Sequence, residues 1–130
     1  MIEFLDAVKQ IVKKFKETKN EPIRLISHLD ADGLSSSSIM IKALQRERIS
    51  FALTTIRQLD DDILEEIKRE AYPIIMFLDL GSGSLSKIEK IFPDNEIFIL
   101  DHHVPEKYDF KKINLLNPHL QGIDGGKAIS

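Results

Sequence analysis

Three apolar runs in this chain each finish on acidic residues: Ile26-Ser27-His28-Leu29-Asp30-Ala31-Asp32-Gly33, Phe77-Leu78-Asp79 and Ile99-Leu100-Asp101-His102-His103. A run as continuously apolar as Ile74-Ile75-Met76-Phe77-Leu78 suits a strand covered by helices on both faces, the usual state of a parallel sheet. If the three runs are neighbouring parallel strands, their carboxy ends bring four carboxylates and three imidazoles to one edge of the sheet. Ligands of open α/β sheets bind at that edge. Fold and chemistry are therefore constrained by the same residues.

The segments between the runs read as helices. Phe4, Leu5, Val8, Ile11, Val12 and Phe15 make one apolar stripe with lysines around it, and Pro22 disfavours helix in the residue before it. Ile23 to Ser27 is the first predicted strand. Asp32 is expected to cap a helix from about Leu34 to Gln45 that turns Leu34, Ile41 and Leu44 to the core. Phe51 to Ile56 follows as a strand. Asp60 and Asp61 open a helix with Ile63, Leu64 and Ile67 on its inner face, acids being favoured at a helix N-terminus. Ile74 to Leu78 is expected to be the central strand. A short helix from Ser84 or Ser86 through Ile91, a strand at Ile97 to Leu100 and a last strand at Ile113 to Leu116 complete the pattern. Alternation of this kind specifies an α/β fold: a mostly parallel sheet of about five strands, helices on both faces and right-handed crossovers.

The chain has 130 residues, which suits one small domain of roughly 100–150 residues. No apolar stretch approaches the roughly 20 residues of a membrane span. The N-terminus mixes acids among its apolar positions, unlike a secretion signal, so a cytoplasmic address is expected. With no cysteine in the sequence, any metal must be held by oxygen and imidazole nitrogen, which favours manganese or magnesium over structural zinc. A net charge of −3 lacks the basic footprint of a stand-alone nucleic-acid binder, although carboxylates awaiting divalent cations inflate the negative count.

Asp30-Ala31-Asp32-Gly33 places two carboxylates where a strand gives way to a helix, with Gly33 expected to supply the dihedrals of a tight turn. Taken alone, the same residues also read as a helix cap and a turn. Asp79 is more telling, because a carboxylate at the end of a buried strand is costly to desolvate without a partner. The loop after it, Leu80-Gly81-Ser82-Gly83-Ser84, could present backbone amides to a phosphate. In Asp101-His102-His103 an imidazole can bind a transition metal while a carboxylate orients its neighbour.

With these residues in view, Asp30-x-Asp32-Gly33, Asp79 and Asp101-His102-His103 resemble the first three motifs of the DHH phosphoesterases, over about residues 23–130. Ser27 to Ser36, Asn117-Pro118-His119 and Gly122 to Gly126 are similar to the RecJ-like exonuclease branch, in particular its archaeal members such as the GINS-associated nuclease. The resemblance implies a Rossmann-like DHH domain and two divalent ions, Mn2+ or else Mg2+. Asp79 would bridge them, Asp30 would lie on one, and Asp32 and His102 on the other. His28 is a further candidate ligand. His103 would face the scissile phosphate, with Asp101 orienting an imidazole; Gly81, Ser82 and His119 are candidate substrate contacts. Two ions roughly 3.5–4 Å apart suit an in-line displacement at phosphorus.

What the family carries further along, a fourth motif with another aspartate and a second domain that grips the substrate, is not found here. The expectation is a fragment or shortened member of a longer nuclease, with one metal position short of a ligand and weak activity alone. Two functions follow from the resemblance. One is a 5′-to-3′ exonuclease on single strands, DNA before RNA; the other is a non-catalytic replication scaffold that contacts proteins such as GINS. Short oligonucleotides or other small phosphoesters are further possible substrates of the enzyme.

Overall fold

The structure, a computed structural model, describes residues 2–18 and 22–119. The side chains of Phe4 and Leu5 and the stretch from Gly122 to Gly126 lie outside the described residues. The elements run α1 (Ile2–Thr18), β1 (Ile23–His28), α2 (Ala31–Arg46), β2 (Phe51–Ile56), α3 (Asp61–Glu70), β3 (Ile74–Leu78), a 3-10 turn (Ser82–Ser84), α4 (Leu85–Ile91), β4 (Glu96–Leu100) and β5 (Ile113–Leu116). The five strands form one sheet in the order β2-β1-β3-β4-β5, and every pairing is parallel. β3 is the central strand, as its unbroken apolar run requires.

Alternate residues of each strand feed two separate cores. Leu25, Ile74, Met76, Leu78, Phe98 and Leu100 pack under α1 and α2, against Val8, Val12, Phe15, Met40 and Leu44. On the other face Ile26, Ile75, Phe77, Ile97 and Ile99 meet Leu64 and Ile67 of α3 and Leu85 and Ile88 of α4. Each large side chain fully removed from water contributes roughly 1.5–3 kcal/mol. The two-sided cover follows from handedness. Right-handed crossovers place α2 on one face as the chain steps outward from β1 to β2, and α3 and α4 on the opposite face as it returns through β3 to β4. The reversal leaves a crevice between the carboxy ends of β1 and β3.

α2 departs from the expected helix in three respects. It begins at Ala31, and its cap is Asp30, whose carboxylate accepts the Gly33 amide at 2.8 Å; Asp32 lies in the first turn instead. Leu34 is 49% exposed, because the inner face of this turn is built from Gly33, Ser36, Ser37 and Met40. Gly33 is helical and makes no tight turn. A Cβ there would stand 1.9 Å from the His28 carbonyl oxygen, and the Ser27 hydroxyl donates to the Gly33 carbonyl at 2.9 Å. The helix start is pressed so closely onto β1 that small residues replace apolar ones.

Candidate metal centre

Continuing the sheet register by one residue past β3, β4 and β5 puts Asp79, Asp101 and Asn117 at the same rim as His28, the last residue of β1. Main-chain hydrogen bonds carry the ladder into this row, from the Asp79 amide to the Leu100 carbonyl at 2.8 Å and from the Asp101 amide to the Leu116 carbonyl at 3.1 Å. The sheet thus aligns side chains from positions far apart in sequence, and the tight start of α2 adds Asp30 and Asp32.

Asp79 lies at the middle of this rim. It is 3% exposed, yet neither carboxylate oxygen has a hydrogen-bond partner among the described residues, and the buried His102 Nε2 is likewise unpartnered. Asp79 Oδ1 and His102 Nε2 stand 2.8 Å apart in an alignment that makes no hydrogen bond, and Asp32 Oδ2 is 3.5 Å from the same nitrogen. On the other side, His28 Nδ1 is 2.8 Å from Asp30 Oδ2 and 3.6 Å from Asp79 Oδ2. Asp79 also holds a positive φ of 62°, uncommon for a residue with a side chain and found at functional sites more often than elsewhere.

The donor set fits metal ions. His28 Nε2 lies 3.1 Å from the Arg57 carbonyl, an acceptor-only oxygen, so the ring proton belongs on Nε2. In the neutral ring the Nδ1 lone pair then faces two carboxylate oxygens, an arrangement that a cation between them relieves. Two groups converge closely enough to hold an ion, Asp79 with Asp101, His102 and His103, and Asp79 with His28 and Asp30. Asp79 belongs to both. Burial, reinforced by the neighbouring Asp30 carboxylate, pushes the Asp79 carboxyl up to about 6. The Gly33 amide, which outweighs partial burial, holds Asp30 below the usual carboxylate range.

Asp101 is buried and fully engaged. Its Oδ1 accepts from His103 Nδ1 at 2.6 Å and from the His102 amide at 2.9 Å, and its Oδ2 accepts from the Ser82 amide at 3.1 Å. Burial works against a charged His103 ring, but the Asp101 hydrogen bond and charge prevail and hold it above the ordinary histidine value. Asn117, also buried, donates to Ser82 Oγ at 2.9 Å and to the His103 carbonyl at 2.7 Å, fixing the loop that carries the two histidines. His119 is exposed, and its Nε2 lies 3.1 Å from the His102 carbonyl.

The loop after β3 is held from within the rim. Gly81 and Ser82 are both buried; the Ser82 amide donates to Asp101 and its Oγ accepts from Asn117, while Gly81 lines the cleft beside Asp79. Gly81 is needed for its φ of 108° and for the side chain of Ile99, 3.3 Å from where its Cβ would be. A cleft of about 390 Å³ opens in front of Asp79, Asp101 and His103, and Arg57, directly after β2, lines it. Arg57 was not singled out by sequence reasoning. Its signal was present, since it is the one basic residue that immediately follows a strand on this rim.

The sequence signature of the DHH family, N-terminal domain, matches residues 22–129. The chain belongs to the DHH family. Along its whole length it is also 36% identical to the protein MJ0831 of Methanocaldococcus jannaschii, of which it spans about a third, 32%. The fold of this DHH domain is similar to that of RecJ from Thermus thermophilus in complex with Mn2+, with a TM-score of 0.68 at 19% identity over 90% of this chain and 17% of that one. It is likewise similar to an exonuclease RecJ bound to manganese, with a TM-score of 0.71 at 19% identity over 89% and 31% of the two chains. CDC45 from Entamoeba histolytica shares the fold, with a TM-score of 0.68 at 12% identity over 85% and 24%. No helix among the described residues is long and apolar enough to cross a membrane.

Proposed function

We propose that this DHH domain holds two divalent ions, Mn2+ or else Mg2+, and hydrolyses phosphodiesters as the metal-bearing part of a longer nuclease. The observation that carries the proposal is the Asp79 carboxylate: buried, without a hydrogen bond among the described residues, and with one oxygen near His102 and the other near His28. Asp79 would bridge the ions, with Asp30 and His28 on one side and Asp32 and His102 on the other. Bound there, the ions would activate water and stabilise charge on the leaving oxygen. The chain's own groups supply the rest. His103, half-exposed on the cleft and oriented by Asp101, is placed to donate to a phosphate oxygen; Arg57 offers a fixed positive charge to the same anion.

The substrate we favour is single-stranded nucleic acid, DNA before RNA, degraded from the 5′ end. The fold of manganese-bound RecJ and the open cleft support this reading, and the retained ligands favour catalysis over a scaffold. The proteins that a whole protein of this kind would meet are those of replication, GINS among them, by the same likeness and that to CDC45. Calorimetric titration with MnCl2 tests the centre. The expected result is binding that is lost in Asp79→Asn, together with metal-dependent shortening of 5′-labelled single strands by the complete protein. Absence of manganese binding to the unsubstituted chain would refute it.

A further inference from the structure

A second cavity lies away from the metal centre. It is a groove of about 610 Å³ between α1 and α2. α2 starts at the catalytic rim with Asp32, but the groove is formed by its later turns, from Ile39 to Glu47. At 1.5 Å per helical residue, Lys42 lies about 15 Å along the axis from Asp32. α1 likewise ends shortly before β1 begins, so its last turns lie at the opposite edge of the sheet from the metal ligands. Nothing in the catalytic reading uses this surface.

Its chemistry is two-toned. The floor is apolar, made by Val8 and Val12 of α1 with the half-buried Ile39 and Ala43 of α2. The rim carries Lys9, Lys13, Lys16, Lys42 and Arg46 against two carboxylates, Glu17 and Glu47, and of these Lys16 and Glu47 pair at 3.0 Å. A surplus of three positive charges here contrasts with −3 for the whole chain. The residues from Val8 to Glu17 extend along about 14 Å of helix axis, the length of two to three helical turns.

We propose that this groove docks an acidic amphipathic helix from a partner protein, with apolar anchors at i, i+3 or i+4, and i+7 on the floor and flanking carboxylates against the two basic walls. Charge complementarity selects this occupant. A nucleic-acid strand would use the basic rim but would find no aromatic ring among the lining residues to stack on, and stacking is a principal source of single-strand affinity. A second copy would bring the same positive surplus against this one.

The test uses the 130-residue chain and two fluorescein-labelled peptides of about 16 residues, long enough to hold a helix. Both carry leucine at the anchor positions; one is flanked by glutamate and the other by lysine. In fluorescence anisotropy at low salt the glutamate peptide binds more tightly. In the double variant Lys13→Glu, Lys42→Glu it weakens by about tenfold while the lysine peptide gains about tenfold, a gain that an unfolded variant could not show. Both positions are exposed and remote from the metal centre, so manganese titration stays unchanged. Equal binding of the two peptides, or indifference to the reversals, overturns the proposal. So does a labelled oligo-dT strand that outcompetes the glutamate peptide at the same residues, or self-association in sedimentation that the reversals abolish.

Discussion

Arg24 and Asp79 are both charged and both withdrawn from water, 8% and 3% exposed, but they are treated oppositely by their surroundings. Arg24, within β1, is surrounded by partners: Nε donates to Glu70 at 2.8 Å, one terminal nitrogen to Thr54 Oγ1 at 2.7 Å, and the other to the Ala52 carbonyl at 3.1 Å. Asp79, one residue past β3, accepts no hydrogen bond at either oxygen among the described residues. Burying a charge without hydrogen bonds is expensive. A satisfied buried charge therefore reads as architecture, and an unsatisfied one as a candidate position for a ligand.

The sharpest way to break this contrast is Asp79→Asn. If the orphaned oxygens exist to hold ions, metal-dependent hydrolysis by the complete protein falls by about 10³-fold, the scale of removing one preorganised electrostatic group, as read from kcat on a 5′-labelled strand. The second largest effect concerns pH. Because the folded Asp79 carboxyl titrates near 6, above its unfolded value, the folded state binds the extra proton. Metal-free stability is therefore highest below about pH 4 as far as this group is concerned and is lost as pH rises through about 6, by up to about 3 kcal/mol. Chemical denaturation of the metal-free chain at several pH values measures this slope, and Asp79→Asn abolishes it; a slope that persists in the variant belongs to another group.

Arg24 supplies the opposite arm. Arg24→Met leaves Glu70 and Thr54 without their donor and lowers stability by about 1–3 kcal/mol, with manganese affinity unchanged; a gain in stability would place Arg24 with Asp79 among the unrewarded charges. The smallest effect is expected at Asp101→Asn. Loss of the charge that orients His103 lets its imidazole titrate lower, seen by NMR, and slows hydrolysis by about tenfold, the low end for groups that position others, while manganese still binds.

Much of this was legible in the sequence, and for identifiable reasons. The strands and the central place of β3 follow from local apolar runs, and the acids that end those runs converge because parallel register forces the carboxy ends to one rim. What escaped depended on close approach. Leu34 fits a helical apolar stripe, but nothing local says that α2 is pressed against the His28 carbonyl so that Gly33 and two serines take the inner face. The cap was assigned to Asp32 because the helix was expected to begin with that stripe, whereas Asp30 meets the Gly33 amide. Gly81 and Ser82 look like an exposed loop, and their burial is set by Ile99, Asp101 and Asn117, all distant in sequence. The positive φ of Asp79 has no signal in the local sequence.

The rim that gathers His28, Asp30, Asp32, Asp79 and His102 draws on stretches separated by up to about 70 residues. No nascent or partly unravelled chain can offer those atoms together, so an ion seated there discriminates finished molecules from unfinished ones. Scarcity of manganese would then shorten the protein's survival against proteases before it showed as lost turnover.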